Sequence, residues 1–594
     1  MDIHGTTVMV LGGGGMVGRA VCRELLDHAP ARIVVASYAE AETRAAIELL
    51  QEELERKRSF QPGLPSIELV PEWGNMFVRE DFRHRSFPDI MSSPEGRAAL
   101  IEDTFVPLQA DTLERYGLYR MILRHHPDIL VDAVNTATGI AYMDVFKQAR
   151  SVWAQLSSSP DPPSRESVEQ LMCSMYIPQL IRHVEILYRS MVKVDTKAYV
   201  KVGTSGTGGM GWNIPYTHGE ERPSLLLLSK SAVAGAQTLL LFLLARTPAV
   251  PTFGPEDAEE IHGKRPPATK EIKPTAMIGW REIGYGDIRR KGQPIELEDV
   301  RLDDSVELGA DKKLLLDDPS RGVGSGKRLR TVYVDTGENG MFSAEEFVAI
   351  TSPGQMGFVT PEEIARNVVD EILGINTGKD VINALNVTSM GPTYRAGFQR
   401  ERAIGKLRDL QRQHATESVA FEILGPPRLS KLLFEAHLLR RHCKTLDRVA
   451  GADPAELTRA CLDILRSDPE LLATPVTLGI PILLEDQGRL RLVRGRTVKT
   501  PPSQGQNELE MGPRRIEEWA GAGWIDLRTS NMERWKKRIQ SILAELGSIP
   551  HHDTSSRYLR DRDFWLGRAE GEINPGELVA WIFNTEDRGE RGRE

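Results

Sequence analysis

The sequence predicts an α/β protein built on a doubly wound parallel sheet, with a small α/β substrate lobe and a mostly helical C-terminal domain. Three observations predict it. A short apolar run at residues 7–11 (TVMVL) leads straight into glycines at positions 12, 13, 14, 15 and 18. Strand-like and helix-like segments then alternate through roughly the first 250 residues, the pattern of successive β-α-β units. Past residue 400 the chain turns to Arg- and Leu-rich helical segments such as PAELTRACLDILRSD.

The elements follow in order. The run at 7–11 is apolar throughout, as a parallel strand covered on both faces is. Residues 19–27 form a helix with Ala20, Val21, Leu25 and Leu26 on one side. Residues 32–36 (RIVVA) make a second strand and 39–57 a long charged helix. Residues 66–70 and 128–134 (DILVDAV) supply the third and fourth strands, and 168–191 a single helix. A fifth strand falls at 198–202 (AYVKV), followed by a helix at 225–246. That helix holds the most apolar window of the chain, yet Lys230 and Gln237 lie inside it, which favours a buried helix over a membrane span.

Residues 253–330, with KRPPATKEIKP and RGVGSGKR, are rich in proline, glycine and charge and read as an insertion or a substrate-side segment. Order returns at 360–373, where Thr360 is an N-cap, Pro361 sits in the first turn, and Glu362 and Glu363 face the positive helix end. The segment GIPILLEDQGRLRLVRGR reads as a hairpin turning at 486–488. The expected domains are 1–250, a nucleotide-binding unit; 251–398, an insertion and substrate-side lobe that completes it; and 399–594, mostly helical.

Composition narrows the class. The 594 residues are 40% hydrophobic and 27% charged, as in a soluble globular chain. A net charge of −9 and a pI near 5.9 leave no basic footprint for nucleic acid. Four scattered cysteines without a C-x-x-C pair argue against a disulfide framework or a zinc ribbon. The N-terminus has no basic stretch followed by an apolar run and cleavage site, so no signal peptide is expected and a cytoplasmic location is.

The glycine cluster carries the chemistry. It satisfies both G-x-G-x-x-G, from Gly13, and G-x-x-G-x-x-G, from Gly12. Strand, bare turn and helix in that order make a dinucleotide-binding Rossmann domain, in which pyrophosphate meets backbone N–H groups and the positive end of the helix near Met16. Gly12, Gly15, Met16, Val17 and Gly18 are therefore expected to hold NAD(P). At the end of the second strand an acid would bind the ribose hydroxyls of NAD. Ser37 and Tyr38 stand there, with Arg19 and Arg44 nearby, which leans the choice toward NADP; Arg19 and Arg44 as plain solvated helix residues is the alternative.

With these residues in view, the chain resembles the extended short-chain dehydrogenase/reductase family of sugar-nucleotide epimerases and dehydratases. The glycine turn, DILVDAVNTAT, KVGTSGTGGMG, NIPYTHGEERP, LLLLSKSAVAGAQ and GFVTPEEIARNVVDEIL carry the resemblance across roughly residues 5–395. It implies that Ser205 orients the substrate hydroxyl, that Lys230 binds the nicotinamide ribose, and that Ala133, Val134 and Asn135 pass beneath the cofactor. It also implies a homodimer built on the helices at 168–191 and 225–246. The departure is at Leu226, four residues before Lys230, where the family has its acid/base tyrosine. Tyr216 is the stand-in phenol, with His218, Glu220 and Glu221 as other proton carriers on the same loop; an exposed polar loop is the plainer reading of each.

Two further signals are set aside. RGVGSGKR has Arg321 where a phosphate loop needs its first glycine, and Arg328 after the lysine. His437, His442 and Cys443 do not share a helical spacing that would converge on zinc, so no metal is expected. The expectation is an atypical NAD(P)-dependent oxidoreductase, or a redox-neutral epimerase or dehydratase, acting on a hydroxyl- or carbonyl-bearing small molecule such as a sugar derivative. A non-catalytic NAD(P)-binding scaffold or redox sensor, acting through its C-terminal domain, is the alternative.

Overall fold

A computed structural model describes the chain except residues 204–224, 247–267, 275–278, 337–340, 356–358, 376–386, 422–426, 501–506, 567–571 and 588–594, and positions 61, 62, 64, 142, 159, 291, 310, 311, 391, 392, 551, 552, 554–557 and 559. The described residues fall into two compact units. The first draws on Met1–Gly209, Ser224–Gly279 and Phe358–Arg395, the second on Trp280–Gly357 and Ala396–Glu594.

The first unit is a Rossmann fold. Its strands are β1 (Thr7–Leu11), β2 (Arg32–Ser37), β3 (Glu68–Trp73), β4 (Ile129–Asp132), β5 (Ala198–Val202), β6 (Ala268–Pro274) and β7 (Val387–Met390). All pair in parallel, in the order β3-β2-β1-β4-β5-β6-β7, so the strand order reverses between β1 and β4. Ligands of such sheets lie at the strand C-termini beside that reversal. Val8, Val10, Ile33, Val35, Ile129 and Val131 pack on one face with α1 (Met16–Leu25), α2 (Glu40–Phe60) and the helix Pro361–Leu373. Met9, Leu11, Val34 and Leu130 pack on the other with Tyr119 and Ile122, and with Leu187 and Met191 of a later helix. Alternate residues of each strand thus face opposite helical layers, which is why the sequence shows unbroken apolar runs.

The strands at 7–11 and 198–202 and the helix at 225–246 (Leu225–Arg246) stand where the sequence places them. Thr360 caps its helix with a reciprocal pair, accepting from Glu363 N–H while the Glu363 carboxylate accepts from Thr360 N–H. The helix expected over 168–191 is two, Arg165–Cys173 and Tyr176–Lys193. Pro178, which cannot donate an N–H and clashes with the preceding turn, sits instead in the first turn of the second helix.

A larger correction concerns 253–330. Residues 268–274 (ATKEIKP) are no insertion but β6, inside the sheet. Local pattern hid it because Thr269 and Glu271 are buried polar residues in a strand that would ordinarily read as apolar. Residues 280–357, expected to complete the first unit, gather instead with the C-terminal half. Their strands find partners there: Val306–Glu307 pairs with Arg489–Val493, and Lys313–Leu315 with Glu508–Glu510. The C-terminal half accordingly adds sheet to its helices Pro427–Cys443, Pro454–Ser467, Thr529–Ser548 and Pro575–Thr585. Its hairpin turns at Gln487 and Gly488, both at positive φ (48° and 74°), the twist-matched two-residue turn. Among the described residues no helix is long and apolar enough to cross a membrane.

Candidate dinucleotide site

The turn between β1 and α1 is built for close approach. Gly12 takes φ 76°, and a Cβ there would lie 3.1 Å from the Ala133 carbonyl carbon and 3.2 Å from Val134 N. A Cβ on Gly18 would overlap the Gly12 carbonyl oxygen, so this glycine lets the helix sit against the turn. Gly13 N–H donates to Ala36 O at 2.9 Å, and Gly14 N–H donates to Ser37 Oγ at 2.8 Å, tying the turn to the end of β2. Gly15 is the N-cap of α1 at φ −70°, has no side chain to cap with, and would bring a Cβ only to 3.2 Å from Gly12 O. The first-turn amides of Met16, Val17 and Gly18 have no earlier helical carbonyl to bond, which leaves them for an anion. This is the cradle a pyrophosphate fits: space that side chains would fill, at a positive helix end.

Ser37 is buried, and its hydroxyl oxygen serves Gly14. Next to it is a carboxylate that sequence spacing did not single out. Glu42, in the first turn of α2, brings its Cγ to 2.7 Å from where a Gly14 Cβ would be. Arg44 pairs with Glu40 at 2.7 Å and lies over the Trp73 ring at 5.3 Å, while Arg19 is exposed. Tyr38, Glu40, Trp73, Arg83 and His84 line a cavity of about 490 Å³ at the ends of β2 and β3. Arg83 is held in place by Glu72, which also takes Arg124 at 2.6 Å and His125 at 2.7 Å.

Beneath the turn, Ala133, Val134 and Asn135 directly follow β4, half-buried, where the resemblance puts the cofactor floor. Below them runs a row of charge that the sequence reading passed over. Asp132, Lys201 and Glu271 are register partners on β4, β5 and β6, and all three are buried. Lys201 Nζ lies 3.0 Å from Asp132 Oδ1, and Tyr199 O–H donates to Asp132 Oδ2 at 3.0 Å. Burial raises the Glu271 carboxyl above the usual range, and burial with the adjacent Asp132 raises the Tyr199 phenol. His183, close enough to feel both Asp132 and Lys201, is pushed down to about 4 by burial. The available signal was a lysine in the middle of AYVKV, a strand that a parallel sheet covers on both faces.

Of the residues expected to do chemistry, Ser205 and Tyr216 lie outside the described residues, as do His218, Glu220 and Glu221. Lys230 is buried, 3% exposed, in the second turn of Leu225–Arg246. Leu226 is in the first turn of the same helix. Among the described residues no three His, Cys, Asp or Glu side chains gather as a metal site would require. The segment RGVGSGKR forms the exposed strand Gly324–Arg328, antiparallel to Glu296–Glu298.

Comparison with known proteins adds one relationship to the C-terminal half. Residues 298–587 match the family model of the β-methylindole-3-pyruvate reductase C-terminal domain. No curated protein sequence matches the chain. Among solved structures, Pen from Bacillus thuringiensis aligns with 46% of this chain and 50% of its own at 12% identity and a TM-score of 0.21. A short-chain dehydrogenase/reductase from Serratia marcescens BCRC 10948 aligns with 66% of this chain and 98% of its own, at 11% identity and a TM-score of 0.27. A 3-oxoacyl (acyl-carrier-protein) reductase from Agrobacterium tumefaciens C58 with NADP bound aligns with 46% of this chain and 70% of its own, at 13% identity and a TM-score of 0.22. Likeness at that level says nothing of substrate or cofactor.

Proposed function

We propose that the chain is an NAD(P)-dependent oxidoreductase that reduces the carbonyl of a small molecule. The observation that carries this is the bare turn Gly12–Gly18 at the switch point of the sheet, closed by Gly12 against Ala133 and Val134. Bound NAD(P)H would supply hydride to a carbonyl carbon. The protein's own residues bind and orient: the α1 amides take the pyrophosphate and Lys230 the nicotinamide ribose. Ser205 holds the substrate oxygen and Tyr216 delivers its proton, replacing the tyrosine absent at Leu226. The match over 298–587 supports an aromatic 2-oxo acid as substrate, in preference to a sugar derivative. NAD and NADP are both candidates for the turn; Ser37 at the end of β2 brings no charge against a 2′-phosphate, whereas the Glu42 carboxylate beside Gly14 opposes one.

Leu226 favours a second reading, a non-catalytic NAD(P)-binding scaffold. Calorimetry with NADH and NADPH, then hydride transfer across aromatic 2-oxo acids and other carbonyls, separates the two. Tyr216→Phe should cost about 10²-fold in turnover, the scale of a lost proton donor. Lys230→Ala should weaken both affinity and rate. Binding without any turnover supports the scaffold, and no binding of either dinucleotide ends both readings.

A further inference from the structure

A buried ion pair in the middle of a parallel sheet needs a reason. The ladder between β4 and β5 already sets their register, and a buried pair is poor value for stability because desolvation offsets the attraction. What this pair does locally is specific. Asp132 Oδ1 accepts from Val134 N–H at 3.0 Å, and Lys201 Nζ donates to Val134 O at 2.6 Å and to Thr136 Oγ1 at 3.3 Å. Both backbone polar groups of one residue, Val134, are therefore gripped by the two members of one ion pair. Gln237 Nε2 donates to the same Thr136 Oγ1 at 3.1 Å, linking the clamp to the helix that bears Lys230. Val134 is in turn the backbone that closes on Gly12.

We propose that Lys201 and Asp132 are positioning residues for the dinucleotide: they hold Val134 from its N–H and its carbonyl sides, keep its backbone against Gly12, and so hold the floor of the site in its binding shape. This rests on the dinucleotide reading. The chemistry suits the place. Past Ala133, whose N–H still donates to Leu11 O at 2.9 Å, the chain leaves the ladder, and a lysine with several donors can hold a carbonyl, a hydroxyl and a carboxylate together there. A strand end left to itself would sample other paths, each reducing the fraction of molecules ready to bind.

The test compares stability with affinity in the intact chain. Lys201→Met alone strands the Asp132 charge and should lower the melting temperature. Lys201→Met combined with Asp132→Leu removes both charges, and should recover most of the melting temperature while dinucleotide Kd stays at least tenfold weaker than in the parent. Asp132→Asn, which keeps an acceptor for Val134 N–H and for Lys201, should bind within about threefold of the parent. A double variant that regains both stability and parental Kd overturns the proposal, since the pair would then be structural only. Should the double variant not fold, hydrogen exchange in Lys201→Gln decides: faster exchange at Val134 and Thr136 with β1 unchanged supports the clamp, and a uniform change or none overturns it. A parent protein that binds neither NADH nor NADPH refutes the dinucleotide reading instead, and does so before any variant is made.

Discussion

Gly18 lies so close to Gly12 that a single added methyl would overlap the Gly12 carbonyl oxygen, whereas a methyl on Gly15, between them, would stand 3.2 Å from that oxygen, a tight contact that a shift of a few tenths of an ångström relieves. The two glycines therefore separate fold from function. Gly18→Ala should destabilise the first unit by about 1–3 kcal/mol, the cost of overpacking, read as a lower unfolding midpoint. Gly15→Val should lower that midpoint clearly less than Gly18→Ala does and abolish dinucleotide binding by calorimetry, because its side chain occupies the pyrophosphate cradle. Equal loss of stability in both variants would remove the distinction.

Glu42 is the group to test for cofactor choice. Its carboxylate beside Gly14 should repel a 2′-phosphate by about 1 kcal/mol across high-dielectric surroundings. Glu42→Gln should then raise NADPH affinity about fivefold relative to NADH. An unchanged ratio would mean that the carboxylate turns away from the ribose.

His183 should make the protein acid-sensitive. Its ring packs against Phe77 at 4.8 Å between centroids, and burial lowers its pKa from 6.5 to about 4. The unfolded chain therefore binds a proton that the folded one refuses. Its contribution to stability is present above pH 6.5 and is lost as pH falls toward 4. Between pH 7.5 and 5 this one group should cost about 2 kcal/mol of unfolding free energy. His183→Phe should flatten the urea-denaturation profile over that window by that amount. His125, also lowered to about 4, will leave a residual slope of the same sign.

Self-association should use the helices Tyr176–Lys193 and Leu225–Arg246, which leave Ile177, Ile181, Leu228, Leu239 and Leu243 exposed. An apolar face of that kind commonly marks an interface. Sedimentation velocity should find a dimer at micromolar concentration, and Leu239→Glu with Leu243→Glu should convert it to a monomer of unchanged melting behaviour. A parent that already sediments as a monomer would rule the interface out.

Glycines and apolar runs speak locally, so the sequence by itself determined the β1–turn–α1 unit, the β5 strand and the Thr360 cap. Each depends on residues within a few positions, through backbone freedom, period or capping. The same locality misled at β6, where Thr269 and Glu271 look like loop residues until β5 is laid beside them. It misled again at 280–357, whose strands pair with partners up to about 200 residues away in sequence. Only the tertiary structure decided that Glu42 stands beside Gly14, and that Asp132, Lys201 and Glu271 form one buried row beneath Val134. Register across parallel strands, not spacing along the chain, brings those charges together, and burial is what gives them consequences.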